Sequence, residues 1–430
     1  MKSVPFRKYH TPSLSLVAVA LIVLSMTMLV ARVPHLVRDS YARGVEWVGD
    51  FQNYYYAFFV LLKHPAESWA LYERGHLIAF LRDAGVTHFS LANFYGYPPQ
   101  FAAVFQWLAF WDMSTARTIW SLISICAFVI ACALTLNIAY REHNRSVYVL
   151  LVAVVLLCRP IVDDIYWGQS NSLLFLMLAA TFFLIERGNR YAAGFFLAMA
   201  IAFKITPLAV AGLLLVHKEW RVLISTFLVS ILLAWYTALQ TGWQVIIGYY
   251  MHDLPRLNSV FARIGGAPFN SSIKGVLQTY SGRIAPMSVE AIDLVSTLCG
   301  LAICLLSCYL VWRRAGDSRI DYALSTATML AASPVIESVH MVVVLIPLLI
   351  LIGTRMEEHR RASVELGLCG VAIVLLMFSA RSVSYTVAVL LVYLLCAMRY
   401  SVSRTSRRVV ADAPGIHGLR AGASARRGNG

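Results

Sequence analysis

Apolar residues run along this chain in continuous blocks, most of them about 15–25 residues long, and polar residues gather in short islands between them. Blocks of that length cross a hydrocarbon core as helix, whereas membrane strands alternate in and out. The pattern predicts an all-α polytopic membrane protein. Taken in order, it predicts about twelve spans: residues 14–33, 118–139, 146–157, 172–185, 192–203, 208–217, 222–239, 291–312, 322–332, 341–353, 364–378 and 383–398.

Three irregularities stand out. Residues 34–116 form a long first outer segment, and its apolar run 100–111 is too short to cross. That run is expected to lie on the outer leaflet as an interfacial helix, a depth that suits its aromatic content. Runs 192–203 and 208–217 are split by Lys204-Ile205-Thr206-Pro207. They read as two short helices meeting at Lys204 on the outer side, with one long helix kinked at Pro207 as the rival. Residues 240–288 form a second outer segment rich in Gly, Pro, Asn and Ser. The whole is expected to be one transmembrane domain, 1–399, followed by a disordered basic cytoplasmic tail, 400–430.

Composition agrees. Of 430 residues, 59% are hydrophobic and 13% charged, against roughly a quarter charged in an average soluble domain. Residues Lys2, Arg7 and Lys8 before an apolar run resemble a signal sequence, but no small-x-small cleavage site follows, so the run reads as a retained first span. All eight cysteines lie in apolar blocks without metal-ligand spacing.

The net charge of +14 is an orientation signal. The predicted inner pieces hold 22 of the 36 basic and 9 of the 22 acidic residues, leaving 14 and 13 outside. That asymmetry puts both termini in the cytoplasm of a multi-pass cell-membrane protein and adds attraction to anionic membrane lipid, so nucleic acid is not needed to explain it.

The unusual polar groups then all fall on the outer side: Asp50, Tyr54, Tyr95 and Tyr97, Asp163 and Asp164, Gln169 and Asn171, Lys204, Asn270 with Lys274, and His340. Ionisable groups near membrane depth are costly and mark function by default. Ordinary alternatives stand beside that reading. Asp50 or Asp164 could cap a helix, Lys204 could snorkel, His340 could end a helix, and Tyr97-Pro98-Pro99 could be an interfacial turn. Paired carboxylates could hold a divalent cation, but no third oxygen ligand is near in sequence. The sequence has neither a P-loop nor a Rossmann fingerprint for a nucleotide-borne substrate.

Gly49-Asp50-Phe51 with Tyr54-Tyr55, then Tyr97-Pro98-Pro99, Trp167-Gly168-Gln169-Ser170-Asn171, Lys204-Ile205-Thr206-Pro207-Leu208, and Ser333-Pro334 with His340 resemble the ordered motifs of glycosyltransferase family 87. The resemblance covers roughly residues 14–355 and implies a GT-C-type bundle. It implies transfer of a sugar, mannose in the first instance, from a polyprenyl-phosphate donor to a lipid-linked or cell-envelope glycan acceptor at the outer face. It also implies that Asp50 is the catalytic base of an inverting reaction and that no nucleotide is used; no cofactor is expected, with a divalent metal left open. Lys204 and His340 become candidates for the donor phosphate. Gln169, Asn171, Tyr54, Tyr97, Asp164 and Asn270 become candidates for sugar and acceptor. The late motif of the family carries a paired His, where Glu337-Ser338-Val339-His340 supplies one. A polyprenyl-linked glycan transporter or flippase is the competing reading. It would need polar residues on both faces and repeat symmetry.

Overall fold

The structure is a computed structural model. It describes residues 49–86, 93–140, 151–256 save 153 and 157, 270–313 save 285, 317–358, 364–378 and 382–411, together with Val23 and Thr27. The first predicted span save Val23 and Thr27, most of the third, residues 257–269 and residues 412–430 lie outside the described residues.

Among the described residues every regular element is helical. In order these are α1 (Phe51–Lys63), α2 (Arg74–Asp83), α3 (Pro99–Phe105), α4 (Met113–Ala139), α5 (Arg159–Trp167), α6 (Asn171–Glu186), α7 (Arg190–Phe203), α8 (Leu208–Val216), α9 (Trp220–Thr241), α10 (Trp243–Gly248), α11 (Ile273–Ile284), α12 (Val289–Arg313), α13 (Ser318–Ala331), α14 (Leu345–Glu357), α15 (Val364–Phe378) and α16 (Ser382–Ala411). Tight 3₁₀ turns cover Pro65–Ala70, Gln106–Phe110 and Ser338–Val344. Five segments are long and apolar enough to span: Met113–Ala139, Trp220–Thr241, Val289–Arg313, Ser338–Glu357 and Val383–Tyr400. Shorter apolar helices, Asn171–Glu186, Arg190–Phe203 and Val364–Met377, occupy other predicted span positions. Helices α9 and α12 leave Phe227, Leu232, Trp235, Leu305 and Trp312 exposed, which is the surface a helix presents to lipid.

The split at Lys204 is a reversal. Arg190, at the start of α7, forms an ion pair with Glu219, just past α8, at 2.7 Å. One continuous helix over 190–216 would hold those ends about 40 Å apart at 1.5 Å per residue. The chain therefore runs out along α7, turns at Lys204–Pro207 and returns along α8, as the two-helix reading expects. Pro207 enforces the turn because it ends in-line propagation and pre-sets the start of α8.

The segment 100–111 differs from the expected interfacial helix. Seven residues form α3, whose Phe101, Ala102, Ala103 and Phe105 are buried. A 3₁₀ turn follows, and only here do Trp107, Phe110 and Trp111 face outward. The apolar side chains are drawn inward because the first outer segment builds an aromatic core against α4 and α7. Phe51, Phe58, Phe101, Phe105, Trp120 and Phe203 meet there with ring centroids 5.1–6.4 Å apart. A second, aliphatic core fills the helix bundle.

Candidate active site

Two glycines bring the first outer segment onto the bundle. Gly49 has φ +62°, and an added Cβ would sit 2.6 Å from the Trp167 carbonyl oxygen. The backbone N–H of Asp50 donates to that same oxygen at 2.9 Å. Gly168, at φ +67°, closes α5 in the left-handed conformation, and its missing side chain leaves room for Arg117. Arg117 is buried on α4, donating to the Ile165 and Tyr166 carbonyls at 2.8 and 2.7 Å. It thus satisfies the C-terminal end of α5 with a cation. One turn on, the indole N–H of Trp120 donates to the Gly168 carbonyl at 2.9 Å.

Asp50 occupies the N-terminal cap position of α1, yet its side chain makes no capping bond. The carboxylate instead accepts a short hydrogen bond from Gln169 Nε2. The Gln169 amide is held in that orientation because its Oε1 accepts the Tyr54 and Tyr97 hydroxyls at 2.8 and 3.0 Å. Ser170 Oγ donates to the Tyr97 hydroxyl at 3.1 Å. Asp50 keeps part of its surface open, though protein atoms crowd it on nearly all sides. Burial raises its pKa to about 6, against the opposing pull of the Gln169 bond and of the Arg117 and Lys204 charges.

Asp164 follows the ordinary alternative. It is fully buried and accepts four bonds, from the backbone and side chain of both Asn171 and Ser172, at 2.6–3.2 Å. It caps α6 from α5. Asn171, also fully buried, is a strut: its Nδ2 binds Asp164 and its Oδ1 accepts Lys204 Nζ at 2.9 Å. Lys204 sits extended at the end of α7, its ammonium 5.8 Å from the centroid of the Tyr97 ring. Burial lowers its pKa. Glu337, Asp164 and Asp50 act the other way, Glu337 most strongly.

His340 Nδ1 accepts the Glu337 backbone N–H at 2.9 Å, so a neutral ring carries its proton on Nε2. Lys204, His340 and Asn171 line one cleft with Thr206, Ser333 and Ile336. Asn270 is remote from that role: it donates to the Pro334 carbonyl at 3.2 Å and accepts the Ile336 N–H at 3.1 Å, pinning the turn before His340.

The structure therefore joins Asp50, Gln169, Tyr54 and Tyr97 in one network and Asp164, Asn171 and Lys204 in a second. The charge of Lys204 reaches Asp50 across them. Sequence reasoning did not single out Arg117 or Glu337 as site residues. Arg117 stands alone just before a predicted span, and Glu337 stands in a motif singled out for its His340. A counter-charge for Lys204 was the missing signal. Among the described residues no three His, Cys, Asp or Glu side chains gather in a metal-ligand group.

Chemically, the arrangement offers a partly buried, oriented carboxylate within the field of an ammonium that lines a cleft together with an imidazole. That pairing suits proton abstraction next to a departing anion. A comparison with curated proteins gives no match. The profile of glycosyltransferase family 87 matches residues 94–334, more than half of the chain and including Tyr97, Asp164, Gln169, Asn171, Lys204 and Asn270, while Asp50, Glu337 and His340 lie outside the matched stretch. By that match the chain belongs to glycosyltransferase family 87 and is a membrane glycosyltransferase.

Proposed function

We propose that the protein transfers a sugar, mannose in the first instance, from a polyprenyl-phosphate carrier to a lipid-linked or cell-envelope glycan at the outer face of the cell membrane. Asp50 takes the proton of the acceptor hydroxyl as that oxygen attacks the anomeric carbon from the side opposite the phosphate. The bond from carbon to phosphate oxygen breaks, the sugar inverts, and the lipid phosphate leaves as an anion. Lys204 and the Nε2–H of His340 stabilise it, so no general acid is required. Gln169 holds the Asp50 carboxylate in place, with one N–H left for a substrate hydroxyl. Tyr54 and Tyr97 lock that amide, and Asp164, Asn171 and Asn270 position the loops around it.

The observation that carries this reading is the Gln169–Asp50 hydrogen bond. It joins residues 119 apart in sequence and sets a partly open, oriented carboxylate within the field of Lys204. The test incubates the purified protein with a panel of polyprenyl-phosphate sugars and a glycolipid acceptor. One donor is expected to lose its sugar, and Asp50→Ala, still inserted in membranes, is expected to lose transfer by at least about a thousandfold. Full turnover by Asp50→Ala would remove Asp50 as the base.

A further inference from the structure

The cleft at Lys204 has a hydroxyl that the proposed reaction leaves unused. Its polar lining is Lys204, Asn171, Thr206, Ser333 and His340, and the rest of its lining is apolar. Most of the polar groups are committed. Asn171 is held at both ends of its amide, by Asp164 and Lys204. Ser333 Oγ donates to the Val335 carbonyl at 2.8 Å, inside its own turn. Lys204 gives one N–H to Asn171, which leaves two. His340 takes the Glu337 N–H at Nδ1, which leaves its Nε2–H. The Thr206 hydroxyl has no hydrogen-bond partner among the described residues, and its oxygen is not sealed from open space.

That freedom is unusual for a threonine at a helix start. Thr206 directly precedes Pro207, which occupies the N-terminal cap position of α8. A hydroxyl in such a place commonly accepts a backbone N–H of the first turn. Thr206 does not: only its backbone carbonyl is used, by the Ala209 N–H at 3.1 Å. Its side chain is nonetheless restricted twice. A proline narrows the backbone of the residue before it, and a β-branched side chain is stiff at χ1. The start of α8 also has no acidic residue in its first turn and no side-chain cap, whereas Asp164 closes the start of α6. The positive end of α8 therefore adds to the field of Lys204.

Three donor groups without a full set of protein acceptors thus line one cleft: the Lys204 ammonium, the His340 Nε2–H and the Thr206 hydroxyl. A sugar phosphodiester presents three acceptors to match, its two non-bridging oxygens and the ester oxygen that gains charge as the sugar leaves. We propose that Thr206 is a third phosphate ligand, its hydroxyl donating to an oxygen of the lipid-linked phosphate held at Lys204. A hydroxyl adds a donor without a second cation to desolvate, and a bond to a charged acceptor is among the stronger ones. The apolar remainder of the lining suits a lipid-borne phosphate better than the free ion. The inference rests on the reading of Lys204 as the phosphate-binding group.

The probe is farnesyl methyl phosphate, a lipid phosphodiester whose single charge does not titrate near neutrality. Its binding to the full-length protein in detergent is followed calorimetrically. Thr206→Val keeps the volume and branching and removes the hydroxyl, and is expected to bind the probe about tenfold more weakly than the wild type. Thr206→Ser keeps the hydroxyl and loses the methyl, and is expected to bind as the wild type does. A packing role would give the reverse order. With Lys204→Met losing the probe, Thr206→Val binding as tightly as the wild type, or Thr206→Ser falling as far as Thr206→Val, overturns the proposal alone. Inorganic phosphate at the same concentration is expected to leave the probe in place, and displacement by it would assign the cleft to the free ion and overturn the lipid-phosphate proposal. Failure of the diester to bind the wild type, or binding undiminished in Lys204→Met, overturns the phosphate-site reading and the proposal with it.

Discussion

At the scale of single residues, the site is governed by one carboxylate that is costly to ionise. In the proposed reaction Asp50 must be charged to accept a proton, and burial raises its pKa to about 6. The rate at low substrate should therefore fall about tenfold per pH unit below that value and level off above it. Replacing Gln169 by Leu removes the bond that opposes the rise, so the acid limb should move to higher pH. A limb that stays in place in Gln169→Leu would mean that the bond does not act on the catalytic group. The same shift has a stability sign. The folded carboxyl binds its proton more tightly than the unfolded one, so its contribution to stability is present at low pH and lost as pH rises through about 6. The rise from 3.8 corresponds to about 3 kcal/mol. Asp50→Asn is accordingly expected to be inactive yet to melt higher than wild type at neutral pH. A lower melting temperature would show that the carboxylate also holds the fold. Little of this was legible beforehand. Asp50 stood out in the sequence because a lone acid follows an apolar run. Its partner lies 119 residues away, and only packing brings them together. Likewise Asp164 and Asn171 looked like substrate-binding residues, and the structure turns them into a cap and a strut, a difference that depends on which way each side chain turns.

At the scale of elements, apolar patterning located the helices well, because burial and lipid contact both act on runs of residues. The long helices α4, α9 and α12 fall close to the predicted spans. The pattern misplaced 100–111 because it cannot tell an aromatic face turned to the interface from one turned into a private core. It did locate the α7–α8 break, since Pro207 removes a donor and clashes with the preceding turn. In the proposed reaction the element-scale requirement is the contact between the start of α1 and the end of α5, where Gly49 lies against the Trp167 carbonyl. In Gly49→Ala the new Cβ would both meet the Trp167 carbonyl and strain a left-handed backbone. Transfer by Gly49→Ala should fall at least about tenfold, with stability down by about 1–3 kcal/mol, while the protein still reaches the membrane. Wild-type kinetics in that variant would show that the loop can part from α5 without harm.

At the scale of the whole molecule, the described polar groups sort to two ends of the bundle, and the two ends differ in kind. One holds a cleft lined by Lys204, His340 and Asn171, with the Asp50–Gln169 pair within the field of Lys204. The other ties helix ends together with paired charges: Arg190 with Glu219, His217 with Asp321, Arg319 with Glu357, and Arg355 and Arg399 with Glu365. Tyr322 donates to Glu186 at the same end. Breaking the buried pairs of Arg319, Arg355 and Arg399 one partner at a time is costly, so this end acts as a clamp. A transporter would need openings toward both ends, and a clamped end fits a one-sided enzyme better. The paired end is also the one to which the excess of Lys and Arg assigns the cytoplasm. That assignment can be read directly from single cysteines placed at Lys218 and Ser288, in a background where the native cysteines are replaced. An impermeant maleimide added to intact cells should label the cysteine at 288 and reach the one at 218 only after the membrane is opened. Labelling in the reverse order would put the cleft on the cytoplasmic side, where a sugar donor could be nucleotide-borne, and would end the case for a polyprenyl-phosphate donor delivered from the outer leaflet.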